Sequence, residues 1–189
     1  AASSVFIGVS DEVSNISKPT RIEVSQCNLK NVTGSGTGVV EISASSITSA
    51  EVILRENTLD SNQNRSALKV SKNLKTSFEG NTVFNTAIEA PIATSGSPLT
   101  GAPIVLTSNS YFNCSSGVNL AGFSAAAIKG DTFVGGMQGL TGNPTDNYLR
   151  LPSAAYHMVG VTFVSPTKPT WVLSAGEAVA STGWNHSTI

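Results

Sequence analysis

An internal repeat constrains this chain more than any other feature of its sequence. Six ten-residue segments align without gaps, and we call them units one to six: 22–31, 52–61, 76–85, 104–113, 126–135 and 156–165. Successive sixth residues of the units are separated by 30, 24, 28, 22 and 30 residues. A constant pattern at variable spacing is typical of a solenoid whose insertions fall in its turns.

Two columns of the alignment are apolar, which predicts that their side chains point into a core. The third column holds Val24, Leu54, Phe78, Leu106, Ile128 and Met158. The eighth column holds Leu29, Leu59, Val83, Tyr111, Phe133 and Phe163. Between them stand a glycine or polar residue and then, in most units, Asn or Asp, which tolerate the left-handed backbone region and can bond their own turn. Each unit therefore predicts a strand, a one-residue corner and a second strand.

Short apolar runs between the units predict a third strand in each coil. They occupy 39–42, 67–70, 118–120, 148–151 and 171–173. An antiparallel β-sandwich is the alternative, but it would favour Asn-Gly or Asp-Gly hairpin turns, and the sequence has neither. We predict an all-β fold, a right-handed parallel β-helix (solenoid) of about six to seven coils. The coils would span residues 1–165, with a C-terminal strand and cap over 166–189.

The repeat resembles that of the pectin-lyase-like right-handed β-helix superfamily over about residues 21–165. The similarity is clearest at 78–85 and 106–113, which both read apolar-x-x-Asn-x-apolar-x-Asn. This superfamily includes pectate lyases, polygalacturonases, alginate epimerases, phage tailspikes and surface adhesins. The resemblance implies a structural ladder of stacked side chains formed by Asn57, Asn81, Asn109 and Asp131. Cys27 and Val161 depart from the pattern, so we expect the ladder to stop before the terminal coils.

Charge and cysteine content exclude several classes of partner. Charged residues make up 12% of the chain and the net charge is −1, so there is no basic surplus to hold nucleic acid. No run approaches the roughly 18 apolar residues of a membrane span, so we expect no membrane insertion. Cys27 and Cys114 fit no metal-ligand spacing, and we expect two reduced, buried thiols, with a disulfide as the alternative. We expect no cofactor, no metal and an extracellular or virion-surface location.

The candidate catalytic residues are weak, because the signatures of the superfamily's polygalacturonases and pectate lyases are absent. Glu56 and Asp60 flank the corner of unit two and could be a general acid and base about 5–10 Å apart. The simpler interpretation is two solvated turn carboxylates. Arg55 and Glu79 follow each other in the outward fourth column, where an exposed ion pair or binding contact is simpler than a catalytic dyad.

The ninth column changes its character along the chain. It begins with Lys30 and Asp60 and continues with Phe84, Phe112, Val134 and Val164. If these side chains point outward, units three to six present an apolar stripe that another copy of the chain or a loop would cover. If the corner is wider than one residue, they belong to the core instead.

Trp171 and Trp184 follow the last unit, where they could cap the open end of the core or bind a sugar ring. His157 and His186 are expected to be ordinary packed or surface residues. Segments 95–103 and 139–152 depart most from the repeat, and solenoids often place binding in such loops.

These features favour a segment of a phage tail fibre, tailspike or similar surface fibre. It would be a rigid rod, expected to be a homotrimer, that attaches to cell-surface polysaccharide, and we expect it not to be an enzyme. One alternative is a polysaccharide lyase or glycosidase whose carboxylates come from adjacent coils. Another is a bacterial adhesin or autotransporter passenger segment.

Overall fold

The computed structural model of this chain describes residues 5–9, 21–30, 38–44, 51–60, 66–71, 74–84, 92–95, 102–112, 118–120, 123–134, 147–151, 156–164, 170–173 and 184–187. Every regular element within these ranges is a β-strand. The first ten strands are β1 (Val5–Val9), β2 (Arg21–Ser25), β3 (Asn28–Leu29), β4 (Gly38–Ala44), β5 (Glu51–Arg55), β6 (Thr58–Asp60), β7 (Ser66–Ser71), β8 (Lys75–Glu79), β9 (Thr82–Phe84) and β10 (Ile92–Ser95). The next ten are β11 (Pro103–Thr107), β12 (Ser110–Phe112), β13 (Val118–Asn119), β14 (Ala125–Lys129), β15 (Thr132–Val134), β16 (Asn147–Leu151), β17 (Tyr156–Val159), β18 (Val161–Val164), β19 (Thr170–Leu173) and β20 (Trp184–Ser187).

These strands form four sheets in which every described pairing is parallel. The first sheet has the order β2-β5-β8-β11-β14-β17, and the second has the order β3-β6-β9-β12-β15-β18-β20. The third is β1-β4-β7-β10, and the fourth is β13-β16-β19. From β2 to β19 the chain visits the first sheet, the second, and then the third or fourth, in constant rotation. The all-β prediction is confirmed, and the stacked parallel strands fit a β-helix-like fold rather than an antiparallel sandwich.

The two predicted inward columns line the interior. All six third-column side chains are buried, and the strand register places each next to its equivalent in the neighbouring unit. In the eighth column, Leu59, Val83, Tyr111 and Phe133 are fully buried, whereas Leu29 in the first unit is half-buried. Fully burying one large apolar side chain stabilises a fold by about 1.5–3 kcal/mol. The repeat therefore encodes the core directly.

Each corner turns at a single residue with a left-handed backbone. That residue is always the fifth of its unit: Gln26, Glu56, Gly80, Ser108, Gly130 and Gly160, with φ between 54° and 66°. The expectation that the following Asn or Asp adopts this conformation is therefore wrong. The fifth residue takes the left-handed conformation, and the sixth residue turns its side chain inward to the buried ladder described below.

The five predicted third strands are present as β4, β7, β13, β16 and β19. Three strands were not predicted: β1, before the first unit, β10, after the third unit, and β20, after the last predicted strand. Strand β20 continues the second sheet by pairing with β18, with Trp184 opposite Val161. Within the described residues there is no helix with the length and apolar character needed to cross a membrane.

Candidate functional site

A continuous series of side-chain hydrogen bonds passes through the corners, and we call its members the corner ladder: Asn57, Asn81, Asn109 and Asp131. All four side chains are buried. The Oδ1 atoms of Asn81, Asn109 and Asp131 each accept the backbone N–H and the side-chain amide of the preceding member, at 2.9 to 3.2 Å. Asn57 extends the series to the backbone N–H of Cys27, at 2.9 Å.

The remaining amide hydrogen of each asparagine is also used. It is donated to the carbonyl oxygen of a third-column residue one unit earlier, at 2.7 to 3.0 Å: Asn57 to Val24, Asn81 to Leu54 and Asn109 to Phe78. A buried polar group without a partner costs about 1–3 kcal/mol, so these contacts remove that penalty at each of the three asparagines. The asparagines of the ladder have a structural role, and their side-chain hydrogen bonds are directed to other parts of the chain.

Asp131 stands at the last position of the corner ladder, where the earlier units have asparagine. Its Oδ2 accepts a hydrogen bond from the Tyr111 hydroxyl at 3.0 Å, and the Tyr111 ring stacks on Phe133 with centroids 4.6 Å apart. Burial raises the pKa of Asp131 to about 6, and hydrogen bonds from Asn109 and Tyr111 oppose the rise. This pair was not predicted from the sequence. The sequence does contain a signal for it: the one tyrosine of the eighth column, Tyr111, comes one unit before the one acidic residue of the sixth column, Asp131. A buried tyrosine hydroxyl usually finds a hydrogen-bond partner.

Charged side chains cover the outer face of the first sheet in units one to three. Arg55 lies beside Glu79 in register, as the fourth column predicts. Its guanidinium, however, bonds to Glu23 at 2.6 Å, and Glu79 accepts a hydrogen bond from Ser77. Lys75 pairs with the neighbouring Glu51 at 2.9 Å. Exposed pairs of this kind contribute about 0–1 kcal/mol each, so this face is a solvated surface rather than a charged cleft.

The two candidate carboxylates of unit two lie in different surroundings. Glu56 is exposed at the corner, and its carboxylate accepts a hydrogen bond from Gln26 at 2.9 Å. Asp60 is half-buried at the end of β6, next to Phe84 in register. A role for Glu56 and Asp60 as general acid and base stays a prediction.

The outer face of the second sheet carries two rows of side chains without charge in units three to six. In β9, β12 and β15 the middle residue is buried and its two neighbours are half-buried, so the seventh and ninth columns point outward. The seventh column, the hydroxyl row, is Thr82, Ser110, Thr132 and Thr162, and the ninth, the apolar row, is Phe84, Phe112, Val134 and Val164. The alternative that the ninth column is core is therefore wrong. We call the two rows together the uncharged face.

Two aromatic rings stabilise part of the uncharged face. Phe84 and Phe112 are stacked with centroids 5.1 Å apart and an interplanar angle of 18°. Because the ring faces are turned towards each other along the stack, the ring edges form much of the surface that they present outward. Phe84 and Phe112 therefore form one packed pair rather than two separate projecting side chains.

The predicted terminal residues lie on strands. Trp171 is in β19 and Trp184 is in β20, so both follow the last unit as the sequence indicates. Their proposed capping or sugar-binding roles stay predictions. His157 is exposed in β17, and His186 lies in β20.

Cysteine and metal chemistry contribute nothing further to the described surfaces. Cys27 is half-buried with a free thiol that bonds to the Ser25 carbonyl oxygen at 3.3 Å, whereas Cys114 lies outside the described residues. In the part of the chain that the structure describes, no group of three or more His, Cys, Asp or Glu side chains is placed to hold a metal ion. Most of each predicted binding segment also lies outside the described residues: 96–101 of the segment 95–103, and 139–146 of the segment 139–152.

No protein-family model matches this chain, and neither curated proteins nor solved structures gave a match.

Proposed function

We propose that this chain is a segment of a rigid surface fibre, of the kind found in phage tail fibres and tailspikes. In this proposal its fold is a right-handed parallel β-helix of the pectin-lyase-like type, with about six to seven coils. The rotation of the chain through the first, second and third or fourth sheets supports this arrangement. In the proposal, residues 166–189 form the end cap. The proposed location is extracellular or on a virion surface.

The interior supports a mechanical role. In a solenoid each coil contacts only its neighbours, so stiffness depends on the interfaces between successive coils. Here those interfaces combine stacked apolar columns with the corner ladder. A rod built in this way resists local opening, because displacing one coil strands buried polar groups in the next.

The uncharged face is the observation that carries the proposal. It spans four units, and its two rows are aligned by the strand register. Apolar surface arranged in a continuous patch is stabilised when another surface covers it. We infer that copies of this chain cover it by packing side by side as a homotrimer. The first sheet is less suited to this contact at units one to three, because its exposed ion pairs there would have to be desolvated.

Val134→Lys tests the proposed self-association. Val134 is half-buried on the uncharged face, and a lysine there would place a charge in the contact between copies. We expect the wild-type chain to have three times the 19.4 kDa chain mass in native mass spectrometry and sedimentation, and Val134→Lys to be a monomer. The matched control is Val105→Lys, since Val105 is also half-buried on a strand but faces outward from the first sheet. A monomeric wild-type chain, or equal dissociation of the two variants, would contradict the proposal.

Cell-surface polysaccharide is the partner that we propose for the rod. Its contacts would come from the segments between strands and from Trp171 and Trp184. Binding to a panel of soluble polysaccharides, followed by assays for reducing ends and unsaturated products, separates attachment from cleavage. Binding without new ends fits the fibre, whereas new ends that disappear in Glu56→Gln or Asp60→Asn would instead support a lyase or glycosidase.

A further inference from the structure

The last residue of the corner ladder, Asp131, has an oxygen, Oδ2, where each asparagine before it has the amide nitrogen Nδ2. In units two to four, the side-chain Nδ2 donates to a third-column carbonyl oxygen, for example Asn109 to Phe78 at 2.7 Å. In unit five the Oδ1 of Asp131 keeps the acceptor role, since it accepts the Asn109 backbone N–H at 3.0 Å. Its Oδ2, which accepts hydrogen bonds from the Tyr111 hydroxyl at 3.0 Å and from the Asn109 side-chain amide at 3.3 Å, is the atom that corresponds to the donating nitrogen of an asparagine.

The carbonyl that this donor would serve belongs to Leu106, the third-column residue of unit four. An ionised carboxylate has no hydrogen to donate, but a neutral carboxyl group has one. We propose that Asp131 is a proton-dependent lock of the corner ladder: when neutral it donates to the Leu106 carbonyl oxygen and completes the ladder, and when ionised it weakens the junction between units four and five. The form of the rod with a complete ladder is therefore the one expected at acidic pH.

The surroundings of Asp131 leave few groups that could complicate its titration. Among the described residues, Tyr111 is the one titratable side chain that contacts it, and the tyrosine donates to Oδ2. The ladder position before it is Asn109, and the position after it is the buried Val161. Lys129 is exposed on the outer face of β14. The third-column neighbours in units four to six are apolar: Leu106, Ile128 and Met158.

The direction of the pH effect follows from the raised pKa of Asp131. Its ordinary value is 3.8, and burial raises it to about 6 in the folded chain. The folded state therefore keeps the proton to higher pH than the unfolded state does. The stabilising contribution is fully present below pH 3.8 and is lost as the pH rises to about 6. Between pH 4 and pH 8, this difference changes the unfolding equilibrium constant by about 60-fold.

The experiment compares the wild-type chain with Asp131→Asn in urea unfolding at a series of pH values. Asparagine restores the amide donor and does not titrate, so the ratio of the two unfolding constants isolates this one group. We expect the unfolding constant of the wild-type chain, divided by that of Asp131→Asn, to grow by about 60-fold from pH 4 to pH 8. Above pH 6 we expect the variant to be the more stable protein. Glu56→Gln is the matched control, since it also removes one carboxylate, but from an exposed position outside the ladder.

A direct measurement keeps the proposal testable if the variant folds poorly. The chain has four aspartates, so carboxyl carbon NMR of aspartate-labelled wild-type protein can follow the titration of Asp131. We expect its midpoint near 6 and, in Tyr111→Phe, a higher midpoint, because the tyrosine hydrogen bond lowers this pKa. A midpoint near 4, or a pH-independent ratio for Asp131→Asn, would overturn the proposal. Neither result depends on whether the chain is a fibre.

Discussion

Replacing Asn81 by alanine is the most direct test of the corner ladder. Asn81 is in the middle of the series and has ladder residues on both sides. Its Oδ1 accepts the backbone N–H of Asn57 at 3.0 Å and the side-chain amide of Asn57 at 2.9 Å. Its own amide donates to Leu54 at 3.0 Å and to Asn109 at 3.1 Å.

The magnitude follows from the groups that the substitution leaves behind. Asn57 keeps two donors without acceptors, its backbone N–H and one amide hydrogen, in a site that is 1% exposed. Each stranded buried donor costs about 1–3 kcal/mol, so we expect a loss of about 4 kcal/mol in the free energy of unfolding. The acceptors that lose a donor add less, because Asn109 still receives the backbone N–H of residue 81.

Urea unfolding followed by circular dichroism measures the loss. The matched control is Asn28→Ala, which removes an exposed asparagine from β3 outside the ladder and should change stability by no more than about 0.5 kcal/mol. A loss below about 1 kcal/mol in Asn81→Ala would refute the reasoning, since the stranded donors would then have found other partners. Equal losses in the two variants would refute it as well.

Two further predictions concern the corners and the surface ion pairs. Ser108 and Gly80 both have a left-handed backbone, with φ of 55° and 60°. Ser108→Gly should therefore raise the free energy of unfolding by about 0.5–1 kcal/mol, and Gly80→Ala should lower it by about 1 kcal/mol. Urea unfolding measures both changes, and changes of the opposite sign would contradict the corner geometry. Glu23→Gln should cost less than about 1 kcal/mol although Glu23 bonds both Arg21 and Arg55, because these pairs are exposed. That cost should shrink in high salt, and a larger, salt-independent loss would contradict a solvated surface.

The inward columns could be predicted from the sequence because every coil gives them the same surroundings. An inward residue such as Leu106 lies between equivalent apolar residues in the coils on both sides, so the same requirement recurs in each unit. Recurrence makes the signal visible without an alignment to other proteins. The Tyr111–Asp131 pair escaped this reasoning because it is a single departure from two columns at once, and its meaning depends on a contact between them.

The outward features were harder to predict because they depend on backbone geometry and side-chain reach. The orientation of the ninth column follows from the corner turning at one residue, such as Gly80, and the sequence alone left that width open. The ion-pair partner of Arg55 is Glu23 rather than its register neighbour Glu79, because a long side chain reaches diagonal as well as direct neighbours. Strand β10 was missed because 92–95 contains only one large apolar residue.

Parallel stacking also explains why charge is distributed unevenly over the outside. Equivalent side chains in adjacent coils lie about 4.8 Å apart, a distance that suits stacked rings or amides but makes like charges repel. The first sheet meets this constraint by placing unlike charges side by side, as with Glu51 and Lys75. From unit three onward the second sheet avoids this repulsion by having no charged side chains at its described outward positions. Stacked rings such as Phe84 and Phe112 occupy these positions instead. Omitting charge leaves apolar surface that is stabilised only when something covers it. For this reason the proposed contact between copies lies on the second sheet.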